Sequence, residues 1–461
     1  MLAKSFKRGI KLPERKHATE GKPIERVPAV SQVVIPVNQH LGAPNIPVVN
    51  IGDKVIRGQK IADAASPGLM TVPVHASICG IVKKIEPRAQ ANNTEGLCII
   101  IETDGDLSEE FMPPLDPFTC TKEEAIARVR DAGILGMGGA GFPTHVKLSP
   151  PPNKPIDLII ANAAECEPYL TIDEAAIAEK PKLLIMGLQI IMKITGVKQA
   201  IIGLEDNKKK LVPALERFAF ANPARGNISI GMCSTRYPQG GEKMLITALT
   251  GREVPSGGLP IDVGCIVQNV GTLIAIAEAF TLGKPLIDRD LTVCGSACKT
   301  PKNISVPIGT MLNVFPVEFM DIDYSRLTKI VFGGPMMGFA VPSLNTPIQK
   351  NTSGIILMTN KETVTVSESP CIRCGRCIKK CPCRLYPVIL NNRLEAEQLD
   401  KAFQGGLLDC MECGSCAYIC PARIKLVQRF RIGKQRLRIL QTQEAAAAAA
   451  QNASASQLEV E

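Results

Sequence analysis

Two runs of cysteine carry the most explicit chemistry in the chain. The first, CIRCGRCIKKCP, sets Cys371, Cys374, Cys377 and Cys381 in a C-x2-C-x2-C-x3-C-P pattern; the second, CMECGSCAYICP, repeats it with Cys410, Cys413, Cys416 and Cys420. An iron–sulfur cubane takes four thiolates: three closely spaced cysteines wrap one side, and the fourth arrives from elsewhere. In two-cluster arrangements with this spacing, the fourth cysteine of each run serves the other cluster. The expected ligand sets are therefore Cys371, Cys374, Cys377 and Cys420 for one [4Fe-4S] cluster, and Cys381, Cys410, Cys413 and Cys416 for the second. Paired tetrahedral zinc sites also use C-x2-C spacing, but two complete runs closed by Cys-Pro are characteristic of iron–sulfur. Of the 17 cysteines, nine remain: Cys383 is a bystander, and the others read as small buried hydrophobes.

A second chemical feature is GILGMGGAGFPTHVKL, with Gly136, Gly138, Gly139 and Gly141. Without a Cβ, these positions let backbone N–H groups approach a phosphate or a flat ring. Lys147 adds a positive charge just downstream. Gly136-x-Gly138-x-x-Gly141 is formally a dinucleotide fingerprint, but that fingerprint follows a strand and opens a helix, whereas here a helix precedes it. A flexible loop packed between domains is the plain alternative.

These residues need elements to position them. Residues 21–87 are rich in Val, Ile, Pro and Gly and read as short strands with frequent turns, placing a compact β domain over residues 1–115. GDKVIRGQKI followed by VHASICGIVKKI resembles the barrel-sandwich fold of biotinyl and lipoyl carriers. The turn Pro73-Val74-His75-Ala76-Ser77 lacks their carrier lysine, so the resemblance implies shape without cargo; His75 reads as solvated or structurally bonded. From Cys120 the texture changes. Thr121 to Glu124 is a capping box before an amphipathic helix with Ala125, Ile126, Val129 and Ile134 on its apolar face. Strand patterns (DLIIANAAE, QAIIGLED, NISIGMC) alternate with helices near Asp173 to Ile194 and Lys208 to Phe220, predicting a mostly parallel sheet over residues 116–290. Short strands return in residues 291–355 as a mixed β domain. Residues 356–443 are helical, cysteine-rich and basic, and residues 444–461 form a low-complexity tail, disordered or partly helical. The fold class is thus multidomain α/β plus β.

GGAGFPTHVKL, NAAECEPYLTID, YPQGGEK and VQNVGT resemble, in this order, the flavin- and NADH-binding segments of the flavoprotein subunit of respiratory NADH dehydrogenase. The resemblance covers residues 120–290. It implies a Rossmann-like domain with FMN held by Gly136, Gly138, Gly139, Gly141, Asn162, Asn269 and Thr272, and Lys147 near the phosphate. It also implies nicotinamide nucleotide contacts at Phe142, Glu167 and Glu242. The chain departs from that family at Met137, Ala164, Gln268 and Gly241. Residues 291–315 look like the β-grasp domain that follows in the same family. The whole order of parts, with FKRGIKLPERKHAT at the start, resembles the C-subunit family of Rnf electron-transport complexes. This implies a peripheral subunit on the cytoplasmic face of the bacterial inner membrane, among membrane and iron–sulfur subunits. Such complexes move electrons between ferredoxin and NAD(H), coupled to Na+ or H+ translocation, and this subunit meets ferredoxin only indirectly. Hydride chemistry delivers two electrons, clusters carry one, and a flavin does both. A soluble cobalamin-reductase-like enzyme and a non-catalytic electron-relay and docking subunit are the competing readings.

Composition sets the outer bounds. The chain has 461 residues, is 45% hydrophobic and 21% charged, and carries +9 net charge, ordinary values for a globular protein of about three domains. It starts MLAKSFKRGI with no apolar leader, so the cysteines read as thiolates in a reducing compartment. The most apolar stretch, Leu183 to Val197, contains Lys193 and is too short to span a membrane; it reads as a buried helix. Arg423 to Arg438 carries seven basic residues and no acidic one, with apolar spacing at Ile424, Val427, Phe430 and Leu437. It reads equally as a helix for anionic lipid or an acidic partner, and as one whose apolar stripe packs on the cluster domain. Nucleic acid is excluded for want of aromatic platforms, and the four histidines have no metal-binding spacing.

Overall fold

A computed structural model describes residues 3–221, 226–363 and 367–458. They form two compact units: Met1–Ser5, Lys11–Val254 and Leu259–Val364 in the first, and Phe6–Ile10, Pro255–Gly258 and Thr365–Glu461 in the second.

Among the described residues the first unit contains four sheets. In the N-terminal sandwich an antiparallel sheet runs in the order Gln32–Pro36, Glu95–Glu102, Gly80–Ala89, Lys54–Val55; a second joins Asn45–Pro47, Lys60–Ala64 and Val74–His75. Alternation along the strands turns Val33 and Ile35, and Ile99 and Ile101, into one core with Val55, Ile61 and Val82. His75 is buried in this sandwich, and burial with the nearby Lys350 charge holds its imidazole well below the usual range.

The third sheet is all parallel, in the order Asn227–Cys233, Gln199–Glu205, Leu158–Ala163, Cys265–Asn269. Parallel pairing requires crossovers, and helices supply them. The predicted capping box at Thr121 and Glu124 opens Lys122–Asp131. The helical stretch expected across Asp173 to Ile194 is two helices, Ile172–Glu179 and Pro181–Thr195, because Pro181 suits a helix's first turn and not its middle. The second of these crosses Val270–Thr281 so closely that a Cβ on Gly187 would lie 1.9 Å from the Leu273 carbonyl oxygen.

The fourth sheet is mixed, in the order Ile24–Arg26, Lys302–Pro307, Asp288–Cys294, Gly354–Met358, Lys329–Phe332, Phe339–Val341. Its edge strand comes from the N-terminal stretch, pairing parallel to Lys302–Pro307, a long-range pairing that no local pattern announces.

The second unit is helical. Its core gathers Leu390, Ala402, Leu407, Ala422, Ile424, Leu426, Val427 and Phe430. The long helix Leu426–Leu458 carries the backbone on through most of the low-complexity tail; residues 459–461 lie outside the described residues. Ile424, Val427, Phe430 and Leu437 are all buried, so the apolar stripe of the basic segment faces inward. Among the described residues no helix is long and apolar enough to cross a membrane.

Candidate flavin and iron–sulfur sites

The order of the parallel sheet reverses between Leu158–Ala163 and Cys265–Asn269, and the crevice beyond the carboxyl ends of such strands is where α/β sheets bind ligands. Asn162 and Asn269 are register partners there. Asn162 donates through Nδ2 to the Gly240 carbonyl oxygen (2.8 Å) and accepts from the Ala164 N–H (3.2 Å). Asn269 caps the helix Val270–Thr281 by accepting from the Gly271 N–H and donates to Asp173 Oδ2 (2.9 Å).

The glycine loop lies over the same helix start. It closes on itself through Gly136 N–H to the Phe142 carbonyl oxygen (2.8 Å), and it is pinned where Met137 N–H donates to Thr272 Oγ1 (3.0 Å). Thr272 is fully buried, so it holds the loop from beneath. A Cβ on Gly138 would sit 3.3 Å from Asn269 Cβ, whereas one on Gly139 would meet nothing within 4 Å. The loop is therefore packed on one side and open on the other. Lys147 Nζ donates to Glu242 Oε1 (2.8 Å) and to the Val267 carbonyl oxygen (2.9 Å), so two residues assigned to separate ligands form one ion pair. Glu167 is differently engaged: its carboxylate accepts from the Met336 and Met337 N–H groups, and burial raises it to about 7.

Several residues of this region have no individual role assigned from the sequence, although Asp173 ends the NAAECEPYLTID segment. Arg289 is buried beneath the loop, with Nε on the Thr352 carbonyl oxygen (2.6 Å) and Nη2 on the Met137 carbonyl oxygen (3.4 Å). Asp173 is raised to about 7 by burial and by Glu165. The Leu41 N–H and Asn351 Nδ2 hold the carbonyl oxygens of Gly141 and Gly139, each at 3.0 Å. Arg289, Leu41 and Asn351 come from segments outside the motifs quoted for this site. The crevice fits a flavin on one further observation. Gln239 Nε2 and Gln268 Nε2, beside Gly240 and Asn269, are buried donors without a hydrogen-bond partner; buried polar atoms are otherwise paired.

In the second unit the two cysteine runs fold alike. Arg373 and Glu412 take φ of 54° and 57°, Gly375 and Gly414 take 69° and 75°, and short helices follow at Arg376–Lys380 and Ser415–Tyr418. These left-handed positions bend each run back on itself, turning successive thiols to one side. The thiols group across the runs. Cys377 has Cys420 and Cys371 as thiol neighbours, whereas Cys416 has Cys410, Cys413 and Cys381. Burial pushes the Cys410 thiol up to about 12. Backbone N–H groups point at sulfur in both sets: Arg373 to Cys371 at 3.4 Å, Val388 to Cys377, Glu412 to Cys410. The thiol neighbours gather seven of the eight thiols, three in one set and four in the other, as two cubanes would need; Cys374 lies exposed in the first run. Among the described residues no three His, Cys, Asp or Glu side chains close on the position of a single metal ion. Cys371 and Cys374 are exposed, whereas Cys381, Cys413 and Cys416 are buried.

Comparison with known proteins finds a matching domain over each of these regions. Residues 129–278 match the Nuo51 FMN-binding domain, residues 4–106 the RnfC barrel sandwich hybrid domain, and residues 363–421 the 4Fe-4S dicluster domain. Fold and sites thus define a flavin and iron–sulfur electron-transfer protein. Among curated proteins, the chain is 46% identical over 394 residues to the C-subunit of the proton-translocating ferredoxin:NAD(+) oxidoreductase complex of Clostridium ljungdahlii, covering 85% of this chain and 84% of that one. It is 41% identical over 435 residues to the Na(+)-translocating counterpart of Acetobacterium woodii, covering 94% and 97%. Against the C-subunit of the ion-translocating oxidoreductase complex of Pseudomonas aeruginosa the identity is 39% over 438 residues, covering 94% of this chain and 56% of that one. The chain belongs to the C-subunit family of ion-translocating ferredoxin:NAD(+) oxidoreductase complexes.

Proposed function

We propose that this chain passes electrons between NAD(H) and one-electron carriers, as a peripheral subunit of a complex that couples electron transfer between ferredoxin and NAD to Na+ or H+ translocation. Its partners are the membrane and iron–sulfur subunits of that complex, its place the cytoplasmic face of the inner membrane, and ferredoxin reaches it indirectly. The observation that carries the reading is the joining, in one chain, of the crevice between Asn162 and Asn269 with two separate thiol sets.

FMN supplies the exchange between paired and single electrons, and the clusters supply one-electron conduction. The chain's residues do the positioning. Gly136, Gly138, Gly139 and Gly141 keep the loop free of side chains, Thr272 anchors it, and Asn162 and Asn269 set the crevice walls. Lys147 brings positive charge for a phosphate, partly spent on Glu242. Phe142, Glu167 and Glu242 line the nucleotide side, with Glu167 oriented by the turn at Met336 and Met337. Cys371, Cys374, Cys377 and Cys420 are assigned to one cluster, and Cys381, Cys410, Cys413 and Cys416 to the other. The all-parallel sheet supports a Rossmann-like domain in residues 116–290. The parallel central pair Asp288–Cys294 and Gly354–Met358 supports the β-grasp reading of residues 291–355. Residues 1–115 and 356–443 are assigned to the sandwich and the cluster module, with 444–461 as tail.

Anaerobic titration of the purified chain with NADH tests this. The expected result is flavin bleaching with about eight irons per chain, four for each cluster. Intact iron without bleaching would remove the enzyme reading and leave an electron relay; zinc in place of iron would end the scheme.

A further inference from the structure

We propose that the first half of the cluster module, around Cys371 and Cys374, is the docking face for an acidic one-electron carrier protein. The inference rests on the reading of the eight cysteines as ligands of two clusters, and goes on to say which of the two exchanges electrons with a partner and what charge that partner presents.

Three observations converge. First, only one of the two thiol sets has exposed members: Cys371 and Cys374 are exposed, with Ile372 between them 67% exposed, whereas in the other set Cys381, Cys413 and Cys416 are buried and Cys410 is half-buried. Electron exchange between proteins needs the two centres close together, so the set at the surface is the one a partner can approach. Second, the surrounding charge has one sign. From Ser369 to Arg393 there are six basic residues and no acidic one; Arg373, Arg376 and Lys379 are exposed. Among the described residues Arg373, Arg376, Lys379 and Lys380 form no ion pair, whereas Arg429, Arg431 and Lys434 of the long helix are paired with Glu368, Glu395 and Glu412. Third, the N-terminal arm adds to this face. Arg8 Nη1 donates to the Ile378 carbonyl oxygen (3.1 Å) and Gly9 N–H to the Lys380 carbonyl oxygen (3.2 Å), which brings exposed Lys7 to the same helix end.

An apolar centre ringed by unpaired cations suits a protein whose own redox centre is ringed by Asp and Glu. Electron-transfer contacts of this kind are small and short-lived, and charge sets their on-rate more than their area sets their affinity. Each encounter moves one electron and no proton.

The full chain with iron and flavin, reduced with dithionite and freed of excess, is mixed with oxidised rubredoxin as an acidic probe. Each rubredoxin iron takes one electron from the chain, passing from Fe(III) to Fe(II). The expected rate falls at least tenfold as salt rises from low ionic strength to about 0.5 M, where screening confines charges to a few ångströms. The triple change Arg373→Glu, Arg376→Glu and Lys379→Glu is expected to slow the low-salt rate at least tenfold and abolish the salt dependence, with about eight irons retained; Arg436→Glu leaves the rate unchanged. Carbodiimide coupling supplies a readout independent of electron flow, with rubredoxin carboxylates joining Lys379, Lys380 or Lys7. Should the triple variant lose iron, Lys7→Glu, on the N-terminal arm and outside both cysteine runs, is read in its place. Parent-like rates in an iron-replete variant, equal rates with a basic cytochrome c, or loss only of binding to phosphatidylglycerol vesicles would each overturn the docking face. Absence of iron from the parent chain would instead overturn the cluster reading beneath it.

Discussion

The two halves of the cluster module have nearly the same backbone and opposite surroundings. Residue for residue, Arg373 corresponds to Glu412, Arg376 to Ser415, Lys379 to Tyr418 and Lys380 to Ile419. The glycines and the left-handed residues before them repeat to within a few degrees. Yet Cys374 is exposed and Cys413 buried. The difference comes from what covers the second half. Lys434 of the long helix donates to the Cys410 carbonyl oxygen (2.5 Å) and to Glu412 (2.9 Å), and Arg431 holds Glu412 as well (3.0 Å). The segment at Ser256 and Gly257 donates to both oxygens of Asp409. Where the second half spends its acidic residues on internal partners, the first half keeps its basic ones for the outside. Repetition of a ligand motif thus settles what can be bound, while the charges between the ligands settle which copy faces a partner.

Three changes test this contrast. The largest effect is expected from Phe430→Ala. Phe430 is 1% exposed in the core beneath the second half, and a cavity of that kind costs about 3–5 kcal/mol. Urea unfolding followed by iron release should show the cluster of Cys381, Cys410, Cys413 and Cys416 lost first; simultaneous loss of both would show that the halves do not differ in support. Asp409→Ala removes the two hydrogen bonds at 2.5 Å and 2.9 Å and should cost about 1–3 kcal/mol, read as a lower urea midpoint for iron release. An unchanged midpoint would remove Ser256 and Gly257 from the account of why this half is covered. The smallest effect is expected from Arg376→Ser, which gives the first half the residue of the second. Stability should stay within about 0.5 kcal/mol, as for exposed sites without partners; a loss above 1 kcal/mol would make this cation structural.

Much of this was legible in the sequence. The ligand spacing of both cysteine runs, the capping box at Thr121, the alternation in the sandwich and the strand and helix rhythm of residues 120–290 are local, and local patterns are set by neighbours in the chain. The two equal readings of the basic helix are separated only by the fold, which turns Val427, Phe430 and Leu437 inward and pairs three of its cations. The helix break at Lys180 was present as Pro181, but the apolar run on either side concealed it.

Residue type and spacing were enough to single out the eight thiols proposed as cluster ligands and the glycine loop proposed to lie against a flavin, because those patterns depend on a few turns of backbone. It took the three-dimensional fold to place Arg289 under Met137, to make Lys147 share its charge with Glu242, and to let Ile24 to Arg26 close a sheet far from its neighbours in the chain. These are pairings between residues roughly a hundred or more positions apart. Their energy comes from a buried guanidinium satisfied by a carbonyl, a partly covered ion pair, and strand laid beside strand, which no window of sequence contains.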